Sequence, residues 1–275
     1  MRPETIGRAI AAAASRLATV SDTPRLDAEL LMAHALDITR EQMLLGDPRT
    51  PAPAAFAAFV ERRASGEPVA YITGSRAFWT IDLAVTPAVL IPRPDTETLM
   101  DAAVEFFGRA GPATVLDLGT GSGALLLAAL SEWPHATGIG VDRSTAALDV
   151  ARGNAERLGL ASRADFIVGD WADGIGMRFN LVLCNPPYVE SDAALAGDVA
   201  DHEPHSALFA GPDGLDAYRR LAPMLPRLIA PGGLAAIEIG HEQSAAVSAL
   251  LAAEGLSCTV RRDLGGRDRC ILVHG

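Results

Sequence analysis

The sequence predicts an α/β fold: a mostly parallel sheet with helices on both faces, preceded by a small helical bundle and joined to it by a hairpin linker. Three observations carry that expectation. Residues 1–72 show only helical periodicity, and from Thr114 onward short apolar runs alternate with helical segments. A chain of 275 residues, against a prior of about 150 per domain, has room for one large domain and a small one. The expected divisions are 1–72 for the bundle, 73–92 for the hairpin linker and 93–275 for the α/β domain.

In the bundle, Ile6, Ile10, Ala13, Leu17 and Val20 fall on one helical stripe. Arg16 interrupts any signal-peptide core, so this Ala-rich start reads as a folded amphipathic helix. Thr23-Pro24 opens a second helix, with Leu26, Leu30, Leu31, Ala33 and Leu36 as its apolar face. A short helix begins at Thr39; Pro51-Ala52-Pro53 then punctuates the chain before a helix carrying Phe56, Phe59 and Val60. The bundle holds no chemistry of its own and is expected to be a recognition or lid module. From Tyr71 to Ile91 the period drops to two, with Phe78, Leu83 and Val85, which marks a hairpin or extended linker. Pro92-Arg93-Pro94-Asp95-Thr96-Glu97 is a rigid helix entry, with Asp95 the expected N-cap. Strands are expected at Val115–Leu118, Gly138–Asp142, Phe166–Val168, Leu181–Cys184 and Leu234–Glu238, all of the buried type. Helices fall at Ala124–Leu130 and through Ala151–Leu158, and Thr259-Val260 with Cys270–Val273 closes the sheet as a hairpin through Gly265-Gly266.

Composition removes several chemistries. All 23 basic residues are Arg, which excludes a Schiff-base lysine, a pyridoxal-phosphate lysine and a P-loop lysine. A net charge of −11 argues against a broad phosphate-binding face, so no direct nucleic-acid partner is expected. Cys184, Cys258 and Cys270 show no CxxC spacing and no disulfide framework, which fits a reducing, cytoplasmic compartment. No apolar run approaches the roughly 20 residues of a membrane span. His202 and His205 lack partners at metal-ligand spacing, so no metal is expected. Ser122 is not in a G-x-S-x-G elbow.

In sheets of this kind ligands bind beyond the carboxyl ends of the strands. There the sequence places Gly119–Gly123, Asp142, Asp170-Trp171 and Asn185–Tyr188. The loop Asp117-Leu118-Gly119-Thr120-Gly121-Ser122-Gly123 fits two cofactors, because Gly119, Gly121 and Ala124 also satisfy the dinucleotide pattern. In either reading Asp142 would bond a ribose, unless it only caps the next helix, where Ser144 competes. A dinucleotide offers a pyrophosphate, which Asp117 would repel. S-adenosylmethionine (AdoMet) offers a cationic sulfonium and an amino-acid end, which Asp117 suits. Asp170 and Trp171 suit an adenine edge and face, although Trp171 also reads as a plain core aromatic. Asn185-Pro186-Pro187-Tyr188 directly follows a strand. Proline holds Asn185 extended, and neither proline carries an N–H. The result is a rigid ledge of acceptors, the Asn185 side-chain oxygen and the Pro186 carbonyl, with Tyr188 as an aromatic wall. It suits a planar –NH2 group bound by both hydrogens. Such a nitrogen is a poor nucleophile until its lone pair is localised, and positioning with electrostatics would supply most of the catalysis. Glu238 ends a strand at the site edge, either contacting substrate or anchoring a loop.

The chain resembles the release factor glutamine methyltransferase family nearly end to end. The resemblance runs through Arg25–Leu31, Gly66–Gly74, Pro92–Glu97, Asp117–Gly123, Asn185–Tyr188, Glu203-Pro204, Asp213–Leu215 and Glu238–Gln243, to Gly266–Arg269. It departs at Gly211-Pro212, where Gly-Gly is more usual, and at Ser122, where Thr is common. The resemblance implies a class I AdoMet-dependent methyltransferase domain, Rossmann-like with a seven-stranded sheet. It implies that Gly119–Gly123, Asp142, Trp171 and Asn185 hold AdoMet, with S-adenosylhomocysteine as product. By the same resemblance Asn185–Tyr188 hold the glutamine of the Gly-Gly-Gln motif of class 1 peptide-chain release factors. The sister enzyme for a ribosomal-protein glutamine usually lacks the Pro-Asp-Thr-Glu continuation and the final Gly-Arg-Asp-Arg, both present here. An adenine-amino DNA methyltransferase shares the ledge, but the net charge of −11 opposes it. A dehydrogenase is opposed by Asp117 and the ledge, and a non-catalytic AdoMet-binding module by the intact ledge.

Overall fold

The computed structural model describes residues 4–193 and 197–275. The chain divides into two units: Met1–Ser75 with Leu195–His202, and Arg76–Ala194 with Glu203–Gly275. In the first, α1 (Ile6–Leu17) buries the stripe Ile6, Ala9, Ile10, Ala13 and Leu17. It packs with α2 (Pro24–Leu36), α3 (Arg40–Leu45), α4 (Ala55–Ala64) and α5 (Val69–Thr73) around Leu31, Met32, Phe56 and Ile72. Thr39 starts α3 with a capping box: its Oγ1 accepts from the Gln42 amide while its own amide donates to Gln42 Oε1. Helix α9 (Gly197–His202) belongs to this unit although the sequence places it in the α/β domain.

The face of α2 differs from the expected one. Leu26 is 40% exposed, while Asp27 and Glu29 are buried with Ala28, Leu31, Met32 and Ala33. The reason is ionic. Arg63 of α4 donates from Nε to Asp27 Oδ2 at 2.7 Å and from Nη2 to the Val20 carbonyl at 2.9 Å. Glu29 accepts from Arg25 Nε at 2.9 Å and from Arg40 Nη2 at 2.6 Å. Arg63 and Arg40, brought from other helices, together with Arg25 of α2 itself, turn a face that reads as polar into an interior one.

In the second unit β1 (Ser75–Phe78) and β2 (Ile81–Ala84) form the hairpin. It is not a free linker, because Phe78, Ile81 and Leu83 join the buried core of this unit. Tyr71 and Ile72 sit in α5 rather than in the extended stretch. The main strands are β3 (Thr114–Leu118), β4 (Thr137–Asp142), β5 (Ala164–Val168), β6 (Phe179–Cys184), β7 (Ile229–Glu238), β8 (Cys258–Arg262) and β9 (Asp268–His274), in the order β5-β4-β3-β6-β7-β9-β8. The first five of these pair in parallel, and β9 runs antiparallel between β7 and β8. Residues alternate between two cores: Leu181 and Leu183 face one with α6 (Glu97–Phe107) and α7 (Ala124–Glu132), Val182 and Cys184 the other. Helix α8 (Thr145–Arg157) joins the first face, while α10 (Asp216–Leu221), α11 (Leu225–Leu228) and α12 (Ser244–Ala253) cover the second. Both faces are therefore buried, as a parallel sheet requires. β5 is the exception; as an edge strand it leaves Ile167 and Val168 exposed. Asp95 does not cap α6; it lies in a preceding 3₁₀ turn (Pro94–Thr96) and pairs with Arg269.

Arg63→Ala is expected to cost about 3–5 kcal/mol, because it leaves Asp27 as an uncompensated buried charge. Urea unfolding of Arg63→Ala and of Asp27→Leu/Arg63→Met checks this. The double variant should recover most of the loss, and equal losses in both would contradict the pairing.

Candidate functional site

Chain crossovers leave β3 toward β4 on one side and β6 on the other, so a crevice opens beyond their carboxyl ends. A cavity of about 330 Å³ sits there, within the range of small-molecule sites. Gly119, Gly121 and Gly123 all adopt positive φ, which only glycine tolerates cheaply. The amides of Gly119 and Thr120 donate to the Val141 carbonyl at 2.8 and 3.0 Å, and that of Gly121 to Asp142 Oδ2 at 2.9 Å. Asp142 Oδ1 accepts from the Ser144 amide at 2.9 Å, while Ser144 caps α8 through its hydroxyl. Ser144, not Asp142, therefore caps α8, and Asp142 instead ties the glycine loop to the start of that helix. Because these loop amides are already engaged, little is left to cradle a pyrophosphate.

Asp117 ends its strand 1% exposed. Its Oδ2 accepts from the Thr120 hydroxyl at 2.6 Å and the Leu126 amide at 3.2 Å, but its Oδ1 has no partner. Burial pushes its pKa up to about 7. It lines the cavity with Gly119, Thr120, Gly121, Ser122, Asp142, Asp170 and Trp171. Asp170 Oδ2 is paired with Arg220 Nη2 at 2.6 Å, half-exposed. Trp171 holds φ at 54°, a left-handed conformation that costs a non-glycine residue, and it also packs on the second core. Gly123 does not line the cavity; a Cβ there would come within 2.9 Å of Leu127 Cδ1, so its smallness serves helix packing.

Across the cavity, Asn185 and Pro187 line the wall, with Pro186 and Tyr188 next to them in the chain. Asn185 Nδ2 donates to Thr96 Oγ1 at 3.1 Å. The Tyr188 carbonyl accepts from Gln243 Nε2 at 3.0 Å, and Gln243 Oε1 in turn accepts from the Gly240 amide at 3.0 Å. Gly214 fits against this pin because a Cβ there would lie 2.3 Å from the Tyr188 carbonyl oxygen. Glu238 is buried, and burial pushes its pKa up to about 7, against hydrogen bonding from Thr96 and Tyr188. Its Oε2 has no hydrogen-bond partner. Burial, together with the nearby Glu238 charge, pushes the Tyr188 phenol up to about 12.

Three positioning contacts were not assigned from the sequence, although Glu203 and Arg269 fall in stretches that carry the family resemblance. Glu203, 4% exposed, accepts from the Ile91 amide at 3.1 Å and pairs with Arg93, which anchors the strap carrying Pro92 into the cavity wall. Asn154, fully buried, donates to the carbonyls of Ala84 and Ser122 at 3.0 and 2.9 Å, tying the hairpin to the glycine loop. Arg269, 7% exposed, pairs with Asp95 and Asp263 at 3.1 and 3.3 Å. Among the described residues no cluster of His, Cys, Asp and Glu could hold a metal, and no helix is long and apolar enough to cross a membrane.

The strand order, the glycine turn after β3 and the cavity at the switch point define a class I methyltransferase. A solved Thermus thermophilus 16S rRNA N2 G1207 methyltransferase, in complex with AdoMet and guanosine, shares this fold with a TM-score of 0.54 at 18% identity, over 73% of this chain and 49% of that one. The family description "PrmC N-terminal domain" matches residues 8–74 and "Methyltransferase domain" residues 111–247. The release factor glutamine methyltransferase of Rhodospirillum rubrum is 44% identical over 98% of this chain and 85% of its own length. That of Cereibacter sphaeroides is 46% identical over 96% of each. The chain belongs to the release factor glutamine methyltransferase family.

The raised acids carry a prediction about pH. Asp117 and Glu238 bind their protons more tightly folded than unfolded, so these two groups hold more protons in the folded chain between about pH 4 and about pH 7, and their contribution to stability falls as pH rises through that window. Asp117→Asn removes one of these contributions. The stability difference between about pH 5 and about pH 8, measured by urea unfolding, should shrink by on the order of 1–3 kcal/mol. An unchanged difference would contradict a carboxyl held without its second partner.

Proposed function

We propose that this chain transfers a methyl group from AdoMet to the side-chain amide nitrogen of the glutamine in the Gly-Gly-Gln motif of class 1 peptide-chain release factors. The observation that carries this reading is one cavity with the buried, half-unpartnered Asp117 at one wall and the Asn185 ledge at another. AdoMet, when bound, supplies an electrophilic methyl on a sulfonium. The residues present fit it: Asp117 Oδ1 is an orphaned acceptor suited to a cationic amino-acid end, and the loop amides are unsuited to an anion. Gly119–Ser122 give close backbone approach, Asp142 retains acceptor capacity for ribose hydroxyls, and Trp171 with Asp170 offers a face and an edge for adenine.

The ledge does the rest. The Asn185 side-chain oxygen and the Pro186 carbonyl accept the two hydrogens of the target carboxamide, which turns its nitrogen lone pair out of conjugation and toward the methyl. Pro187 closes the wall. Tyr188, fixed by Gln243 and Glu238, buttresses the ledge. As the N–CH3 bond forms and the S–CH3 bond breaks, S-adenosylhomocysteine leaves and the amide nitrogen gives up one proton to water. Among the described residues of the helical unit none lines the cavity, and the unit is assigned to the protein substrate, whose recognition needs more surface than one glutamine pocket.

The test is methyl transfer to purified release factor, with the modified residue mapped by mass spectrometry. Methylation elsewhere, or of a ribosomal-protein glutamine in preference, overturns the substrate assignment. In single turnover at saturating AdoMet, Asn185→Ala is expected to slow transfer by about 10²–10³ while AdoMet affinity falls far less. A rate within about threefold of wild type would make Asn185 a turn residue only.

A further inference from the structure

The ledge works only if Asn185 presents its oxygen, and a primary amide can sit either way round. Rotated by half a turn about its last bond, Asn185 would present a donor and repel the very group it is to hold. Asn185 Nδ2 donates to Thr96 Oγ1 at 3.1 Å. A hydroxyl has one hydrogen and can either give it to an amide oxygen or accept from an amide nitrogen. What decides the matter is where the Thr96 hydrogen goes. Thr96 is 4% exposed, and its other hydrogen-bonding neighbour is the Glu238 carboxyl, 1% exposed at the end of β7. That carboxyl already leaves Oε2 without a partner. Taking the Thr96 hydrogen away from it would strip a buried acid of a donor that it cannot replace from water. Once Glu238 is ionised, above about pH 7, its carboxylate can only accept, so the hydroxyl points at it, the hydroxyl lone pair is left for Asn185, and the nitrogen end of the amide faces Thr96.

We propose that Thr96 is a positioning residue for this enzyme: with its hydrogen committed to Glu238, it fixes the Asn185 amide nitrogen-inward and oxygen-outward, and so makes the ledge select a carboxamide against a carboxylate. The consequence for specificity is direct. A glutamate side chain has no hydrogens to offer an acceptor-only ledge, whereas a glutamine has two. Thr96 also lines the cavity, but its hydroxyl is engaged by Asn185 and Glu238. It acts through Asn185.

The inference rests on the glutamine-methylation reading, and the experiment separates the two. Methyl transfer to release factor is measured for wild type, Thr96→Val and Thr96→Ser, with AdoMet affinity by calorimetry as the control on folding. Calorimetry also measures binding of two short peptides, Gly-Gly-Gln and its Gly-Gly-Glu counterpart, to the AdoMet-free protein. Thr96→Val keeps the volume and loses the hydroxyl. It should lower kcat by about 10- to 100-fold, with KM for release factor and Kd for AdoMet within about threefold. Thr96→Ser should restore kcat to within about threefold of wild type. The preference for the glutamine peptide should narrow in Thr96→Val and return in Thr96→Ser. A mere packing role would weaken both peptides alike and would not respond to the serine hydroxyl, so that result overturns the proposal.

A readout on the unreacted protein stands independently of substrate. Hydrogen exchange of the Asn185 side-chain amide, followed by NMR, should be slow in wild type and in Thr96→Ser. Fast exchange in wild type overturns the proposal, even if Thr96→Val fails to fold. Wild-type protein that leaves release-factor glutamine unmodified overturns the substrate reading instead, and the exchange measurement then decides the orientation of Asn185 alone.

Discussion

Everything at the site depends on the loop after β3 being tied to the end of β4. The Val141 carbonyl and the Asp142 carboxylate take the amides of Gly119, Thr120 and Gly121, so the loop holds its shape from inside the protein. Left-handed glycines let it turn that sharply, and Asn154 braces it from below by taking the Ser122 carbonyl. This leaves the cavity a wall of backbone and small side chains with its strongest donors already satisfied. Such a wall favours a ligand with positive charge over one with phosphates, because nothing remains to pay for burying an anion.

The same logic runs through the electrostatics. Asp117 and Glu238 are both fully buried with one oxygen unpartnered, and both have pKa values raised to about 7 by burial. They stand at the ends of β3 and β7, on either side of β6 and its ledge. Asp117 meets the cavity directly. Glu238 does not, and its influence passes through Thr96 and Tyr188. A fold that keeps two such acids forgoes stability near neutral pH, which is what is expected where ligand or orientation, rather than packing, sets the residue.

The helical unit uses charge in the opposite way. Asp27 and Glu29 are buried with arginine partners, Arg63 for the first and Arg25 and Arg40 for the second, and they fix how α2 is rotated against α3 and α4. Breaking such a pair is costly even where replacing it with apolar residues is not. The apolar pattern of α2 alone would have allowed another rotation, with Leu26 inward.

The sequence by itself determined the features that are local in the chain. Apolar runs located every strand of the main sheet, the alternation of glycines marked the turn after β3, and Asn185-Pro186-Pro187 announced a rigid acceptor ledge, because proline geometry acts on its immediate neighbours. The start of α3 at Thr39 was equally legible, since its signal lies within a few residues. What only the tertiary structure decided are contacts between residues far apart: Thr96 with Asn185, Glu203 with Ile91 and Arg93, Asn154 with Ala84, and Arg269 with Asp95. The expected N-cap role of Asp95 gave way to one of these contacts, and the hairpin expected as a linker buries Phe78, Ile81 and Leu83 in the core of its own unit. A side chain's periodicity reports which face of its own element it occupies. Which partner waits on that face depends on how elements dozens of residues away are brought beside it, and in this chain that choice orients the ledge.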